Sequence, residues 1–239
     1  MILSILVPVY NEENTIEAVV DMLEQVPFSM DKEVILVDDG SQDNTRGIIE
    51  TKLRARVDKV IYHDKNLGKG AAVRTAIKHA SGGILAIHDA DLEYNPFDLP
   101  RLIDPIIRGE ADVVYGSRLL AGGSVRGLSF IYRMGNIFLT AVSNMFTRLR
   151  LTDMETCYKV FRRETLEKIS IKEEGFGFDA EITAKAAKAT PRITERAISY
   201  AGRSHADGKK NTWKQGFRVI FCIVKYGIFR NKPGPQALR

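Results

Sequence analysis

Short apolar runs alternate with longer amphipathic stretches through the first half of the chain. Residues 2–7, 33–37, 59–63, 84–88 and 111–115 are rich in Val, Ile and Leu and bounded by Gly, Asp, Asn or Pro, the pattern of buried strands. Between them, Ile16, Val19, Val20 and Leu23 fall at i, i+3, i+4 and i+7. Val73, Ala76, Ile77 and Ala80 do the same, and Leu99, Leu102, Ile103 and Ile106 repeat most of that spacing. Each set predicts a helix with one buried face. Strand and helix alternating in this way imply an α/β fold with a mostly parallel central sheet flanked by helices, whose ligands lie beyond the carboxyl ends of the strands. The second half is less regular. It predicts a helix over 131–149, a short strand over 158–161, an Ala-rich helix over 179–189 and a strand over 192–200, before a Gly/Lys-rich loop at 202–211.

With 239 residues, 44% of them hydrophobic and 27% charged, the chain can bury a sizeable core. That composition excludes disordered, collagen-like and disulfide-scaffold classes. Two distant cysteines, Cys157 and Cys222, and four histidines without ligand spacing argue against structural zinc or a secretory disulfide framework. The first residues lack the basic segment and cleavage site of a signal peptide, so a cytoplasmic chain is expected. The net charge of +5 is uneven: ten Lys/Arg face one acid, Asp207, across 196–239, whereas residues 1–195 sum to −4. A basic terminus points to a phosphate-bearing partner, whether nucleic acid, anionic lipid or charged substrate.

Three of the predicted strands run straight into polar clusters. Pro8, Tyr10 and Glu12 follow the first, Asp38, Asp39, Gly40 and Ser41 the second, and Asp89, Ala90, Asp91 and Glu93 the fourth. In a doubly wound sheet these ends converge, and Glu12, Asp39, Asp89, Asp91 and Glu93 in one crevice repel unless a cation sits among them. Oxygen ligands alone suit Mg²⁺ or Mn²⁺, which use one or two carboxylates plus substrate phosphates. A diphosphate-bearing substrate follows. An Asp-x-Asp pair also caps turns, and Asp39-Gly40-Ser41 also reads as a turn leading into a helix. Lys69, between Gly68 and Gly70, reads as a structural helix start rather than a nucleotide loop, and His88 as a packed strand residue.

The strings SILVPVYNEE (4–13), VDDGSQDNT (37–45), NLGKGAAVRTA (66–76), DADLEYNP (89–96) and ADVVYGSR (111–118) resemble family 2 glycosyltransferases across nearly the whole chain. Within that family the chain is most similar to polyprenyl-phosphate (dolichol-phosphate) mannose and glucose synthases. That narrower similarity rests on Gly116-Ser117-Arg118, Arg133-Met134-Gly135-Asn136, TDMETCYKVFRR (152–163) and GFDAEI (177–182). The resemblance implies a GT-A type fold and inverting transfer of a hexose, mannose or glucose, from a GDP- or UDP-sugar to a polyprenyl phosphate. It further implies that Pro8, Tyr10, Glu12, Val37, Asp39 and Ala90 hold the nucleoside, with Arg203 as a further nucleotide contact. Asp89, Asp91 and Glu93 would serve Mg²⁺ or Mn²⁺ and the diphosphate. Asp91, Arg118 and Arg133 would be the catalytic set, the arginines meeting the acceptor phosphate. A GT-A domain is expected over 1–205, with 206–239 a basic loop and amphipathic helix of the same unit.

The arginines have a chemical reason. An alcohol acceptor needs a general base, whereas a phosphomonoester, with a second pKa of about 6, is already ionised at neutral pH and needs cations instead. Arg118, Arg126 and Arg133 follow the fifth strand; Arg126 reads equally as solvated surface. Asp179 or Glu181 would be the base if the acceptor were a sugar hydroxyl, which remains the alternative reading. A nicotinamide-dependent oxidoreductase is the alternative of another class, but the turn after the first strand, PVYNEE, lacks glycine. The longest apolar run, 219–224, is far short of the roughly 20 residues that span a bilayer. Trp213, Phe217, Ile220, Phe221, Val224 and Ile228 share one helical face, with Lys214, Arg218 and Lys225 off it. Such a face suits a lipid interface or packing on the core or a partner. The expected location is the cytoplasmic face of a membrane, reached through this helix or a membrane partner protein, with no nucleic acid bound.

Overall fold

The computed structural model describes residues 1–120, 125–202 and 213–228, the side chains of 213–215 excepted. Arg203 and the loop around it lie outside the described residues. Seven strands form one sheet: β1 (Leu3–Val9), β2 (Lys32–Asp38), β3 (Lys59–Tyr62), β4 (Ile84–Ile87), β5 (Val113–Ser117), β7 (Lys159–Arg162) and β8 (Ile193–Ala197). Their order is β3-β2-β1-β4-β7-β5-β8. β7 runs antiparallel to its neighbours β4 and β5, and the other pairings are parallel. The chain winds outward from β1 to β3 on one side and returns to β4 on the other, so the order reverses between β1 and β4. Crevices for ligands open beyond the strand ends at such a reversal.

The inner strands β1, β4 and β5 form where the sequence is apolar without strict alternation, because helices cover both faces. In β1 every residue but Pro8 is buried. The helices of this half are α1 (Ile16–Gln25), α3 (Lys69–His79) and α4 (Leu99–Ile107); α1 and α4 bury the whole face predicted for them, and α3 buries Val73 and Ala76 with Ile77 and Ala80 half-buried. The helix that the Asp39-Gly40-Ser41 turn suggested is α2 (Thr45–Ile48), and it continues as a π-helical stretch, Ile49–Leu53, that buries Ile49 and Leu53. The 192–200 segment is one strand in expectation and two in fact: after β8 the chain breaks and β9 (Tyr200–Ala201) pairs instead with β6 (Val125–Arg126).

The second half adds α5 (Phe130–Thr147), the short α6 (Arg163–Leu166), α7 (Phe178–Ala189) and α8 (Trp213–Ile228). α5 stops where Arg148 turns left-handed, at φ 59°. α8 lies on α5 and α7, burying Val219, Cys222, Ile223 and Tyr226 with Met154, Ala180 and Ala184. Gly227 permits that approach, because a Cβ there would come within 2.6 Å of Phe146. The inward arc of α8 is therefore not the arc picked out from the sequence. Phe217, Phe221 and Ile228, on the predicted face, are exposed.

Candidate active site

The loops after β1, β2 and β4 are stitched together at the strand ends. Asn11 takes a left-handed conformation, φ 54°. There its backbone N–H donates to Ser41 Oγ at 3.0 Å and its side chain accepts from Gln42 N–H at 2.8 Å. The Glu12 N–H donates to Thr45 Oγ1 at 2.8 Å, and Thr15 Oγ1 lies 2.6 Å from Glu12 Oε2 and 2.7 Å from the Ala90 carbonyl. Pro8 and Val37 are direct register partners across β1 and β2. The structure thus gathers Pro8, Tyr10, Glu12, Val37, Asp39 and Ala90 around one end of the sheet.

Asp39 is almost wholly buried, and its carboxylate organises the loop leading into α3. Oδ1 accepts from Leu67 N–H at 3.0 Å and meets His63 Nδ1 at 2.6 Å, while Oδ2 accepts from Gly68 N–H at 2.7 Å. Gly68 is required there: its φ is 97°, and a Cβ would lie 2.4 Å from the Glu174 carbonyl. Oδ2 retains a second lone-pair direction for a ligand donor.

The acidic loop after β4 is divided among different partners. Lys69, at the start of α3, places its ammonium 2.8 and 2.9 Å from the two oxygens of Asp89. Burial opposes the Asp89 charge, but Lys69 and the Cys157 thiol outweigh it and hold the carboxyl below its ordinary range. Asp91 accepts the Glu93 N–H at 3.1 Å, and Leu92 between them is left-handed, at φ 58°. Glu93 Oε2 accepts the Tyr200 hydroxyl at 2.6 Å. Among the described residues no three His, Cys, Asp or Glu side chains converge as a metal cage. These donors are all hard oxygens on one short loop, and they fit a Mg²⁺ or Mn²⁺ site in which the protein supplies one or two carboxylates and substrate phosphates the rest.

Tyr200 joins this loop to the arginine side. The Arg118 guanidinium lies 5.2 Å from the Tyr200 ring centroid. It is fixed by Asp153, with Nε to Oδ2 at 2.7 Å and Nη2 to Oδ1 at 2.8 Å, and Asn136 donates to the same carboxylate at 2.6 Å. Burial works against the Asp153 charge and Arg118 overcomes it, so Asp153 stays ionised. Arg118 and Arg133 line a polar pocket of about 200 Å³ with Leu119, Val125, Gly127 and Leu128. Arg133 is exposed, and among the described residues it has no carboxylate partner. Arg126, on β6, is exposed as well.

The two carboxylates considered as a base are engaged elsewhere. Asp179 pairs with the buried Lys159 ammonium. Glu181 is fully buried; it accepts the Lys172 and Glu173 N–H groups and pairs with Lys185. A third, Glu155, was not singled out from the sequence. Its Oε1 is shielded from solvent with no hydrogen-bond partner among the described residues, and burial, followed by the Asp179 charge, pushes its carboxyl up to about 8. His88 behaves as predicted for a packed strand residue: it is buried, meets the Tyr158 hydroxyl at 2.8 Å, and burial drives its pKa down to about 4.

The family model for Glycosyl transferase family 2 matches residues 4–170. A dolichol-phosphate mannosyltransferase of Pyrococcus furiosus is 27% identical over 95% of this chain and 64% of its own length. A dodecaprenyl-phosphate galacturonate synthase of Rhizobium johnstonii is 28% identical over 97% and 69%. This chain thus spans about two thirds of the length of either relative. Among solved structures, glucosyl-3-phosphoglycerate synthase of Mycobacterium tuberculosis, in complex with Mn²⁺, UDP and phosphoglyceric acid, superimposes with a TM-score of 0.73. It is 19% identical, and the match covers 96% of this chain and 79% of that one. The same enzyme has also been solved with Mg²⁺ and UDP. At that identity the likeness is one of fold, the GT-A arrangement.

Proposed function

Since the chain belongs to glycosyl transferase family 2, we propose that it moves a hexose, mannose or glucose, with inversion from a GDP- or UDP-sugar to a polyprenyl phosphate at the cytoplasmic face of a membrane. The observation that carries this reading is the pocket where Arg118 and Arg133 meet, joined through Tyr200 to the acidic loop. The relatives named for polyprenyl-phosphate sugar transfer support it.

In this mechanism Pro8, Tyr10, Glu12, Val37, Asp39 and Ala90 seat the nucleoside, and Arg203 adds a nucleotide contact. Asp91, with Asp89 and Glu93 on the same loop, would hold Mg²⁺ or Mn²⁺, which when bound supplies positive charge to the diphosphate leaving group. Breaking the sugar–phosphate bond passes through an oxocarbenium-like state. Arg118 is held in place by Asp153 and Arg133 faces the pocket; together they draw in the acceptor phosphate and aim its oxygen at the anomeric carbon. No proton need leave an ionised phosphate, which suits a site whose Asp179 and Glu181 are already paired. C-terminal helix α8, basic and outwardly apolar, would hold the enzyme at the lipid surface or at a membrane partner.

Glu155 favours a second reading. A carboxyl with a pKa of about 8 is mostly protonated at neutral pH, and its ionised fraction is a stronger general base toward a sugar hydroxyl than an ordinary carboxylate. Nucleoside diphosphate release decides between the two. Purified protein is incubated with GDP-mannose, UDP-glucose and UDP-N-acetylglucosamine, with Mn²⁺ or EDTA, and with or without a short-chain polyprenyl phosphate. Release that needs both metal and lipid phosphate is the expected result; release stimulated by a sugar alcohol and indifferent to lipid phosphate would overturn it.

A further inference from the structure

The rings beneath the acidic loop form one continuous column. His88, the residue before Asp89, has its ring centroid 5.4 Å from that of Tyr158. Tyr158 lies 4.9 Å from Tyr94, and Tyr94 meets Tyr200 edge to face at 5.3 Å. The Tyr200 ring in turn carries the Arg118 guanidinium at 5.2 Å. All four rings are buried, none more than 4% exposed. Aromatic pairs at these separations attract one another beyond the area they bury, so the column is a stiff link from the end of β4 to Arg118.

Each hydroxyl of the column has its own partner. Tyr158 Oη meets His88 Nδ1 at 2.8 Å, Tyr94 Oη accepts the Cys157 N–H at 3.0 Å, and Tyr200 Oη donates to Glu93 Oε2 at 2.6 Å. The acidic loop is therefore gripped at both ends, at His88 ahead of Asp89 and at Glu93 beyond Asp91. Backbone bonds reinforce the second grip: the Ala201 N–H donates to the Glu93 carbonyl at 2.9 Å, and Tyr94 and Tyr200 form an isolated antiparallel bridge. On the other side of β9, Val125 pairs with Tyr200 and Arg126 with Ala201, and Val125 lines the arginine pocket. β9 is only two residues long and adds little ladder; what it does is carry Tyr200 between the two sites.

A phenol suits this junction because it can hold an anion and a cation at once. Its O–H gives a charge-assisted bond to one oxygen of Glu93 without bringing a charge into the loop. Its ring face attracts a guanidinium without neutralising it, which leaves the Arg118 charge available to a phosphate. A carboxylate in this place would repel Glu93, and a lysine or arginine would repel Arg118.

We propose that Tyr200 is a positioning residue for both substrates: its hydroxyl orients Glu93 in the loop assigned to the metal, and its ring seats Arg118 for the acceptor phosphate. This deepens the functional reading above and rests on it. One side chain thereby holds the carboxylate end and the guanidinium end of the site at a single separation.

Two substitutions divide the two tasks. Tyr200→Phe removes only the bond to Glu93 and keeps the ring; Tyr200→Leu removes both. In Tyr200→Phe, calorimetric affinity for GDP or UDP, whichever the unaltered protein binds, should fall about tenfold in Mn²⁺ and stay unchanged in EDTA. The KM for a short-chain polyprenyl phosphate should be spared. Tyr200→Leu should show the same donor loss together with a rise of about fivefold or more in that KM. Packing damage alone would lower nucleotide affinity with and without metal and would move both parameters in both variants; that outcome, or two unaffected variants, would overturn the proposal. Glu93→Ala and Arg118→Ala separate this from a failure of the underlying reading. If Glu93→Ala spares metal-dependent affinity, or Arg118→Ala spares the acceptor KM, the site assignment itself falls. If both have their expected effects and the Tyr200 variants have none, the positioning role alone falls.

Discussion

Glu33, on the β1 to β4 side of the molecule, and Glu155, ahead of β7 on the other, are carboxylates in opposite surroundings. Glu33, at the start of β2, accepts from the Ser4 hydroxyl at 2.6 Å, from Ser81 N–H at 2.5 Å and from Lys59 at 3.0 Å. Burial would raise its pKa, but those donors bring it down to about 2. Asp39 is likewise surrounded by donors. Across the sheet, Glu155 holds a proton up to about 8, with one oxygen shielded and unpartnered among the described residues. On the same side Arg133 is exposed, and α5 and α8 leave Phe130, Phe138, Phe217 and Phe221 exposed. The difference teaches that burial alone does not set a carboxylate's state: Glu33 is satisfied by donors from the folded chain itself, whereas Glu155 keeps an oxygen unmet among the described residues.

The comparison breaks first at Asp91. Asp91→Ala is expected to abolish metal-dependent donor binding; calorimetry with Mn²⁺ that shows undiminished donor affinity would remove this residue from the metal site. Arg133→Ala should raise the KM for prenyl phosphate by about 10- to 100-fold while donor affinity is spared. Equal loss for donor and acceptor would show that Arg133 shapes the pocket rather than the phosphate contact. Glu33 tests the satisfied side through pH. Its folded pKa is depressed, so its contribution is fully present above the unfolded value of 4.5 and is lost as pH falls toward about 2. That contribution is about 3 kcal/mol. In Glu33→Gln the urea midpoint at neutral pH should fall accordingly and the acid limb between those pH values should flatten; a parallel, undiminished limb would contradict the assignment. Glu155→Gln should have the smallest effect. At pH 7 the carboxyl is already protonated, so transfer to prenyl phosphate should stay within about threefold of the parent. Above about pH 8 the parent carboxyl ionises beside Arg118 and its activity should decline relative to the variant. A loss of more than about 100-fold at pH 7 would make Glu155 the base and favour a hydroxyl acceptor.

Legibility in the sequence followed the range of the interactions involved. β1 to β5 and the faces of α1, α3 and α4 were readable because a strand or helix buried against the sheet declares itself in consecutive residues. The strand-end acids and Arg118 were readable for the same reason, since each is attached to a legible strand. β6 and β9 were not, because a two-residue ladder has no periodicity. α8 showed an apolar arc, but it has two, and spacing alone does not say which one the protein covers. α5 reads as a helix, yet its inward Asn136 and Thr140 invert the usual pattern. Lys69 and Asp89 are 20 residues apart and Glu155 and Asp179 are 24 apart; only the fold makes them neighbours, and no local string announces either pair.

The ammonium of Lys69 on Asp89 bears on how the protein is made. In many metal sites ligand carboxylates repel one another until the ion arrives, and folding then waits on metal supply. Here the chain brings its own positive charge to Asp89, so the crevice is electrically tolerable from the moment it closes. On the proposed reading of a metal-assisted transfer, maturation and metal loading would thereby be separate events. Protein produced in a metal-starved cell, or held in chelator through purification, should have the same melting temperature as protein kept in Mn²⁺, and it should need the ion only when a donor is supplied.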